Sequence, residues 1–198
     1  MANNGGHTDK DMGAEKIFKE IDELKHLKIK VGLPEGSGEN KGVSIAQYAA
    51  WNELGVMRKH GGGWYIPPRP FMRNTVDGKR EKIKLVMGKF YADVVDGKKT
   101  AKLAAESVGH AVADMVKMTI KEGGFEPNSE ITINGSDTII VGKEAKVSKK
   151  TGKTYMKTIK KQFIEGKKSS KPLINTMTML RAICAVILRD GHLISKKK

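Results

Sequence analysis

The chain has 198 residues, 38% of them hydrophobic and 30% charged, which provides for one modest core and excludes an intrinsically disordered chain. Its formal net charge of +15 points to polyanionic partners: nucleic acid, an acidic protein or anionic lipid. A single cysteine excludes an internal disulfide and fits a reducing cytoplasm, and no run approaches the roughly 20 apolar residues of a membrane span, so no membrane partner is expected.

Residues 1–12, rich in Asn and Gly, are expected to form a flexible tail with neither signal nor anchor character. From Gly13 to Leu27, apolar residues at Ile17, Phe18, Ile21, Leu24 and Leu27 fall on one helical face. Lys28 to Leu33 alternates and stops at Pro34, which reads as a strand. Glu35 to Gly42 reads as a loop. Ser44 is placed as the N-cap of a helix carrying Ile45, Tyr48, Ala49 and Leu54, and Gly55 ends it. A glycine-rich loop follows to Tyr65. Ile66-Pro67-Pro68-Arg69-Pro70 must be largely extended, because proline fixes its own φ and drives its predecessor from the helical region.

Two longer helices are predicted next. One runs from Lys79 to Val95 with Ile83, Val86, Met87, Phe90 and Val94 on one side. The other runs from Thr100 to Lys121 with Leu103, Val108, Val112, Met115, Val116 and Ile120. Asp96-Gly97 separates them, and Gly123-Gly124 ends the second. Glu130 to Asn134 and Thr138 to Gly142 are predicted to pair as a hairpin about Gly135-Ser136-Asp137. From Lys143 to Lys171 there are eleven Lys, no Arg and two Glu, a local charge of +9. Within that segment Tyr155 to Ile164 reads as one more strand. A short helix from Thr176 to Arg181, a strand from Ile183 to Leu188 and a turn at Asp190-Gly191 complete the chain, with residues 191–198 as a basic tail. Cys184, inside an apolar run, reads as a small buried hydrophobe.

This order predicts an α+β fold, a mostly antiparallel sheet packed against helices, with an inserted hairpin and basic arm. The expected organisation is one domain over residues 13–127 and 169–190, interrupted by the arm at 128–168.

Catalytic constellations are not found. The acidic residues are scattered among lysines and read as solvated surface. No His pair stands at i, i+4 and no Cys pair exists, which argues against zinc. His110 lies one turn from Glu106 and Asp114, but on the side of its helix away from Val108 and Val112, so it reads as part of a polar face. His60 precedes Gly61-Gly62-Gly63 without a Gly-x-Ser-x-Gly turn, and Gly152-Lys153-Thr154 lacks the first glycine of a P-loop. Neither an enzyme nor a cofactor is expected. The lysines Lys149, Lys150, Lys153, Lys157, Lys160 and Lys161 are candidate contacts to a polyanion or a partner. Without Arg, and with only Tyr155 and Phe163 interleaved, they would attract phosphates without reading bases. A basic arm that meets an acidic neighbouring subunit is the preferred alternative, since steering of assembly needs no specific contacts.

Three segments carry a family resemblance. They are Val43-Ser44-Ile45-Ala46-Gln47-Tyr48-Ala49-Ala50-Trp51-Asn52-Glu53-Leu54-Gly55, then Ile66-Pro67-Pro68-Arg69-Pro70-Phe71-Met72-Arg73, and last Ser169-Ser170-Lys171-Pro172-Leu173-Ile174-Asn175-Thr176 with Met179 to Ile183. In this order the chain resembles the virion-morphogenesis proteins of tailed bacteriophages called neck, tail-completion or head–tail joining proteins. It departs from the family's pattern at Asn175, where Asp is usual, at Met177, where Gly is common, and in the long insertion between Asn128 and Ser169. The resemblance implies a structural virion protein, assembled in the host cytoplasm, that forms a homo-oligomeric ring, expected to be a hexamer. Its implied partners are the connector on the portal side of the neck, the tail tube or tail terminator, and genomic DNA passing through the lumen. A basic, non-specific nucleic-acid-binding protein is the alternative function.

Candidate interface residues are Trp51, Asn52, Glu53, Pro67, Pro68, Arg69, Phe71, Arg73 and Pro172. The prolines leave little entropy to lose on docking, and an aromatic flanked by arginines is a composition favoured at interfaces. Phe71 filling the protein's own core is the competing reading, and Trp51 and Trp64 fit either core or ring contacts.

Overall fold

Helix α1 (Ala14–His26) keeps its apolar stripe, with Ile17, Ile21 and Leu24 half-buried, but Phe18 is left exposed on its flank. The computed structural model describes residues 13–40, 42–58, 63–136, 139–148, 152–161, 164–166, 168, 173 and 177–197. The chain divides into two units, Met1–Glu122 with Thr176–Lys198, and Gly123–Asn175. After α1 comes strand β1 (Leu27–Gly32). In the expected loop, β2 (Glu39–Asn40) and β3 (Val43–Ser44) make a small antiparallel pair. Helix α2 (Ile45–Leu54) follows, but the Ser44 hydroxyl makes no capping bond. The Ile45 N–H instead donates to the Gly38 carbonyl at 3.0 Å.

The glycine-rich stretch holds a second unexpected pair, β4 (Val56–Met57) against β5 (Trp64–Ile66). The prolines run without regular structure into helix α3 (Phe71–Gly78), which periodicity did not reveal. Helices α4 (Arg80–Val95) and α5 (Ala101–Glu122) match expectation closely. The inward side of α4 is Ile83, Val86 and Phe90, half-buried, with Val94 buried, whereas Met87 is half exposed, as is Leu103 on α5. Glu20 of α1 reaches the start of α5 and accepts the Ala101 N–H at 2.7 Å.

The unit Gly123–Asn175 corrects the predicted hairpin. Glu130–Asn134 is a short helix, α6, begun by Ser129, whose carbonyl accepts the Ile133 N–H and whose hydroxyl lies 3.0 Å from that of Thr132. Gly135, at φ 84°, ends it. Strand β6 (Gly135–Ser136) then pairs with β9 (Ile164–Glu165). The long ribbon is made by β7 (Ile139–Val147) and β8 (Thr154–Lys161), antiparallel with Val147 opposite Thr154 and a bulge between Ile140 and Gly142. The basic segment thus supplies the ribbon's second strand and does not stand alone. Gly166 lies so close to the Ile133–Gly135 backbone that no Cβ could be accommodated there.

The last elements return to the larger unit: α7 (Thr178–Ala182), β10 (Cys184–Arg189) and β11 (His192–Lys197). The expected basic tail is therefore a strand. Asp190 and Gly191 both have positive φ, 47° and 87°, the geometry of a two-residue hairpin turn. The lysines of β11 suit an edge strand, where charge discourages further pairing. The sheet order is β1-β10-β11, all antiparallel, with β10 central.

Helix α5 lies across this sheet, and the core is their contact: Ala105, Val108, Met115, Val116 and Ile120 with Ile183, Ala185 and Ile187 all buried. Gly109 sets the spacing. A Cβ there would stand 2.6 Å from Ala185 Cβ and 3.4 Å from Ile29 Cγ2. Ala185 cannot rotate away, so Gly109→Ala must lift the helix. Overpacking of this kind costs about 1–3 kcal/mol, against ~1 kcal/mol gained in helix propensity. We expect a melting temperature lowered by up to roughly 8 °C. Gly88→Ala on exposed α4, where a Cβ meets nothing within 4 Å, should instead raise it, and paired thermal melts of the two variants check this.

Candidate docking face beside the proline loop

The last turn of α2 aims three consecutive residues in different directions. Asn52 points inward and is 1% exposed; its Nδ2 donates to the Tyr48 carbonyl at 2.8 Å. Its Oδ1 accepts from Nη1 of Arg69 at 3.0 Å. The Arg69 N–H donates to the Asn52 carbonyl at 2.6 Å, so side chain and backbone of one segment are both tied to the other. Arg69 is only 6% exposed. Prolines on either side hold its backbone extended, which limits the entropy lost in making these contacts.

Glu53 performs a second task. Helix α3 begins at Pro70, which offers no side-chain cap. The Glu53 carboxylate accepts the N–H of Met72 at 2.9 Å and of Arg73 at 3.0 Å, one on each oxygen. An anion at a helix N-terminus satisfies orphan donors and complements the helix dipole. Phe71, whose N–H donates to the Arg69 carbonyl at 2.7 Å, then enters the core at 1% exposure. Gly55 completes the joint. It adopts φ 76°, and a Cβ on it would lie 2.8 Å from the Trp64 ring and 3.0 Å from both the Ile66 oxygen and the Pro68 nitrogen. Asn-Glu-Leu-Gly and Pro-Arg-Pro-Phe are therefore two halves of one clasp.

Of the candidate interface residues, Asn52, Arg69 and Phe71 are buried against their own chain, Trp51, Glu53, Pro67 and Pro68 are half-buried, and Arg73 is exposed. Pro172 lies outside the described residues, as do Lys149 and Lys150. Lys153 is exposed, and Lys157, Lys160 and Lys161 occupy positions along β8.

The clasp carries outward a set of side chains that periodicity did not single out. Leu54 is 65% exposed and Tyr65 73%, with Met57 and Trp64 also exposed. Met57 stands opposite Trp64 across the β4–β5 pair, and Arg58 braces it, its Nε donating to the Trp64 carbonyl at 3.2 Å. Single exposed apolar residues are ordinary, but a set rich in Trp, Tyr, Met and Arg has the composition of a protein interface. The signal in the sequence was that composition next to the prolines.

Elsewhere, an open depression of about 400 Å³ at the α3–α4 junction has charges of both signs on its rim, and there Lys79 pairs with Glu122 at 3.0 Å. His110 is half-buried on α5, and Asp114 pairs with Lys117 at 3.1 Å. Among the described residues no group of three or more His, Cys, Asp or Glu is placed to hold a metal, and no helix is long and apolar enough to cross a membrane. No protein-family model, curated protein or solved structure matches the chain.

Proposed function

We propose that this protein is a structural subunit of a tailed-phage virion that closes with copies of itself into a ring at the neck or tail end, completing the tail and joining it to the head connector. The observation that carries this reading is the clasp. Two of the three segments in which the chain resembles head–tail joining proteins meet there, and the clasp presents Leu54, Met57, Trp64 and Tyr65 to solvent. A patch of this kind is matched by a different surface on the next copy, and such a heterologous contact forms a closed ring when the rotation closes. The remaining partners are the connector above and the tail tube below.

The test is Trp64→Ser combined with Tyr65→Ser. Tyr65 is 73% exposed and Trp64 44%, its ring lying against Gly55, so the subunit should stay folded with its melt lowered by no more than about 2 kcal/mol equivalent. Light scattering and negative-stain images of the unaltered protein, alone and with tail tubes, should give rings, and the variant should stay monomeric in both. A variant that assembles normally would remove the hairpin from the interface. An unaltered protein that stays monomeric with tails and connectors present would remove the ring.

A further inference from the structure

We propose that the β7–β8 ribbon is a nucleic-acid-binding element that engages duplex DNA through its phosphates without reading sequence. Between Ile139 and Lys161 there are eight Lys, one Glu and no Arg, a charge of +7 on 23 residues. Strand β7 carries Lys143 and Lys146 with Glu144, β8 carries Lys157, Lys160 and Lys161, and Lys149, Lys150 and Lys153 belong to the connection between them. Lys146 stands opposite Tyr155, Glu144 opposite Lys157, and Ile140 opposite Lys160. Strand alternation gives Tyr155, Lys157 and Lys161 one parity, shared across the ribbon by Lys146 and Glu144, and Lys153 stands just before the strand. The other parity holds Val147 and Met156 together with Lys143 and Lys160. Lys146, Lys153 and Tyr155 are all exposed, as are Val147 and Met156, so both faces of the ribbon are open near its turn.

Geometry and chemistry both favour DNA. An eight-residue strand extends about 26 Å, and a two-stranded ribbon fits the major groove, about 12 Å wide. Duplex DNA offers one charge per ~1.7 Å along its whole length, which complements lysines recurring at intervals from Lys153 to Lys161 along β8. An acidic protein patch would complement a compact cluster. Lysine is a hydrated point charge and lacks the planar fork that reads guanine, so the contact is sequence-independent. Tyr155 adds a ring beside the cations.

DNA binding by the ribbon is independent of ring formation, and the full chain serves to test it. Fluorescence anisotropy with two short duplexes of unrelated sequence should give equal affinities, with log K falling linearly with log salt. Lys146→Gln with Lys153→Gln and Lys157→Gln should weaken binding at low salt at least tenfold. The triple variant should also show a salt slope smaller by about 3, near one for each phosphate that no longer meets a lysine. The matching Lys→Arg variant should bind as the unaltered protein does. The Trp64→Ser, Tyr65→Ser variant should keep DNA binding while losing assembly, which separates the two readings. Equal binding by the Lys→Gln variant would overturn the proposal. So would tighter binding to poly-glutamate or to anionic phospholipid vesicles than to DNA, which would assign the ribbon to an acidic protein or a membrane surface.

Discussion

Phe71→Ala should destabilise the isolated subunit by about 3–5 kcal/mol, the range for truncating a buried phenylalanine. For a chain of this length that is a melting temperature lower by roughly 6–20 °C. Phe71 is 1% exposed and opens α3, the helix that packs on α5. Its loss empties the point where the proline loop, the clasp and the main helix converge. Its carbonyl also accepts the buried Thr75 hydroxyl at 2.7 Å, so a shift of the first turn disturbs a second buried group. Phe71→Leu keeps most of the volume and should cost no more than about 1.5 kcal/mol. Urea or thermal unfolding of monomeric protein decides the matter. If Phe71 anchored a neighbouring subunit, the alanine variant would melt like the parent and fail only in assembly.

Much of the larger unit was legible because its elements carry their own signals. The 3.6-residue spacing of α1, α4 and α5 and the alternation of β1 are local properties, and they place the elements to within a residue or two. What escaped depends on distant partners. Helix α3 follows three prolines and has no capping residue of its own; its N-terminal donors are met by Glu53, 19 and 20 residues earlier. A cap supplied from so far away leaves no local trace. Strand β11 was hidden by its lysines, although Asp190-Gly191 is a strong hairpin signal that requires a returning strand. In the smaller unit, the β-prone run Glu130–Asn134 became a helix because Ser129 could start one and Gly135 could stop it. The lysine-rich stretch, read mainly as charge, found its pairing with β7. Met87 and Leu103 were assigned to buried stripes that are narrower than the spacing of their apolar neighbours suggested.

For the candidate site, composition identified the right segments but not the direction of their side chains. Arginine and phenylalanine between prolines look the same whether they face a neighbour or their own core. The deciding feature is the acceptor that Asn52 holds inside the fold, and a sequence does not show that Arg69 turns toward it. The exposed set escaped for the complementary reason. Leu54 was assigned to a helix's apolar face, Met57 and Tyr65 were left in a loop, and Trp64 fitted either core or ring contacts, whereas Leu54 ends α2 exposed and the β4–β5 pair holds the other three exposed.

The buried polar pair leads to the second large effect. Asn52→Ala should cost about 2–3 kcal/mol, or roughly 4–12 °C in melting temperature, because it leaves a guanidinium that is 6% exposed one acceptor short. Arg69→Leu should also destabilise, since Asn52 then keeps an unmet acceptor in the interior. The double variant is the informative one. With both polar groups gone, neither is stranded, and its loss should fall short of the summed single losses by about 1–3 kcal/mol. Additive losses in this cycle would mean that the Asn52–Arg69 hydrogen bond carries no coupling. The coupling also bears on assembly. The clasp sets where the β4–β5 pair leaves the body, so Asn52→Ala should weaken ring formation at temperatures where the subunit is still folded, although Asn52 itself is 1% exposed and beyond the reach of any neighbour. Assembly that fails in step with the double-mutant coupling would tie the interior of the clasp to the surface it presents. Assembly unchanged across the cycle would confine the clasp to folding alone.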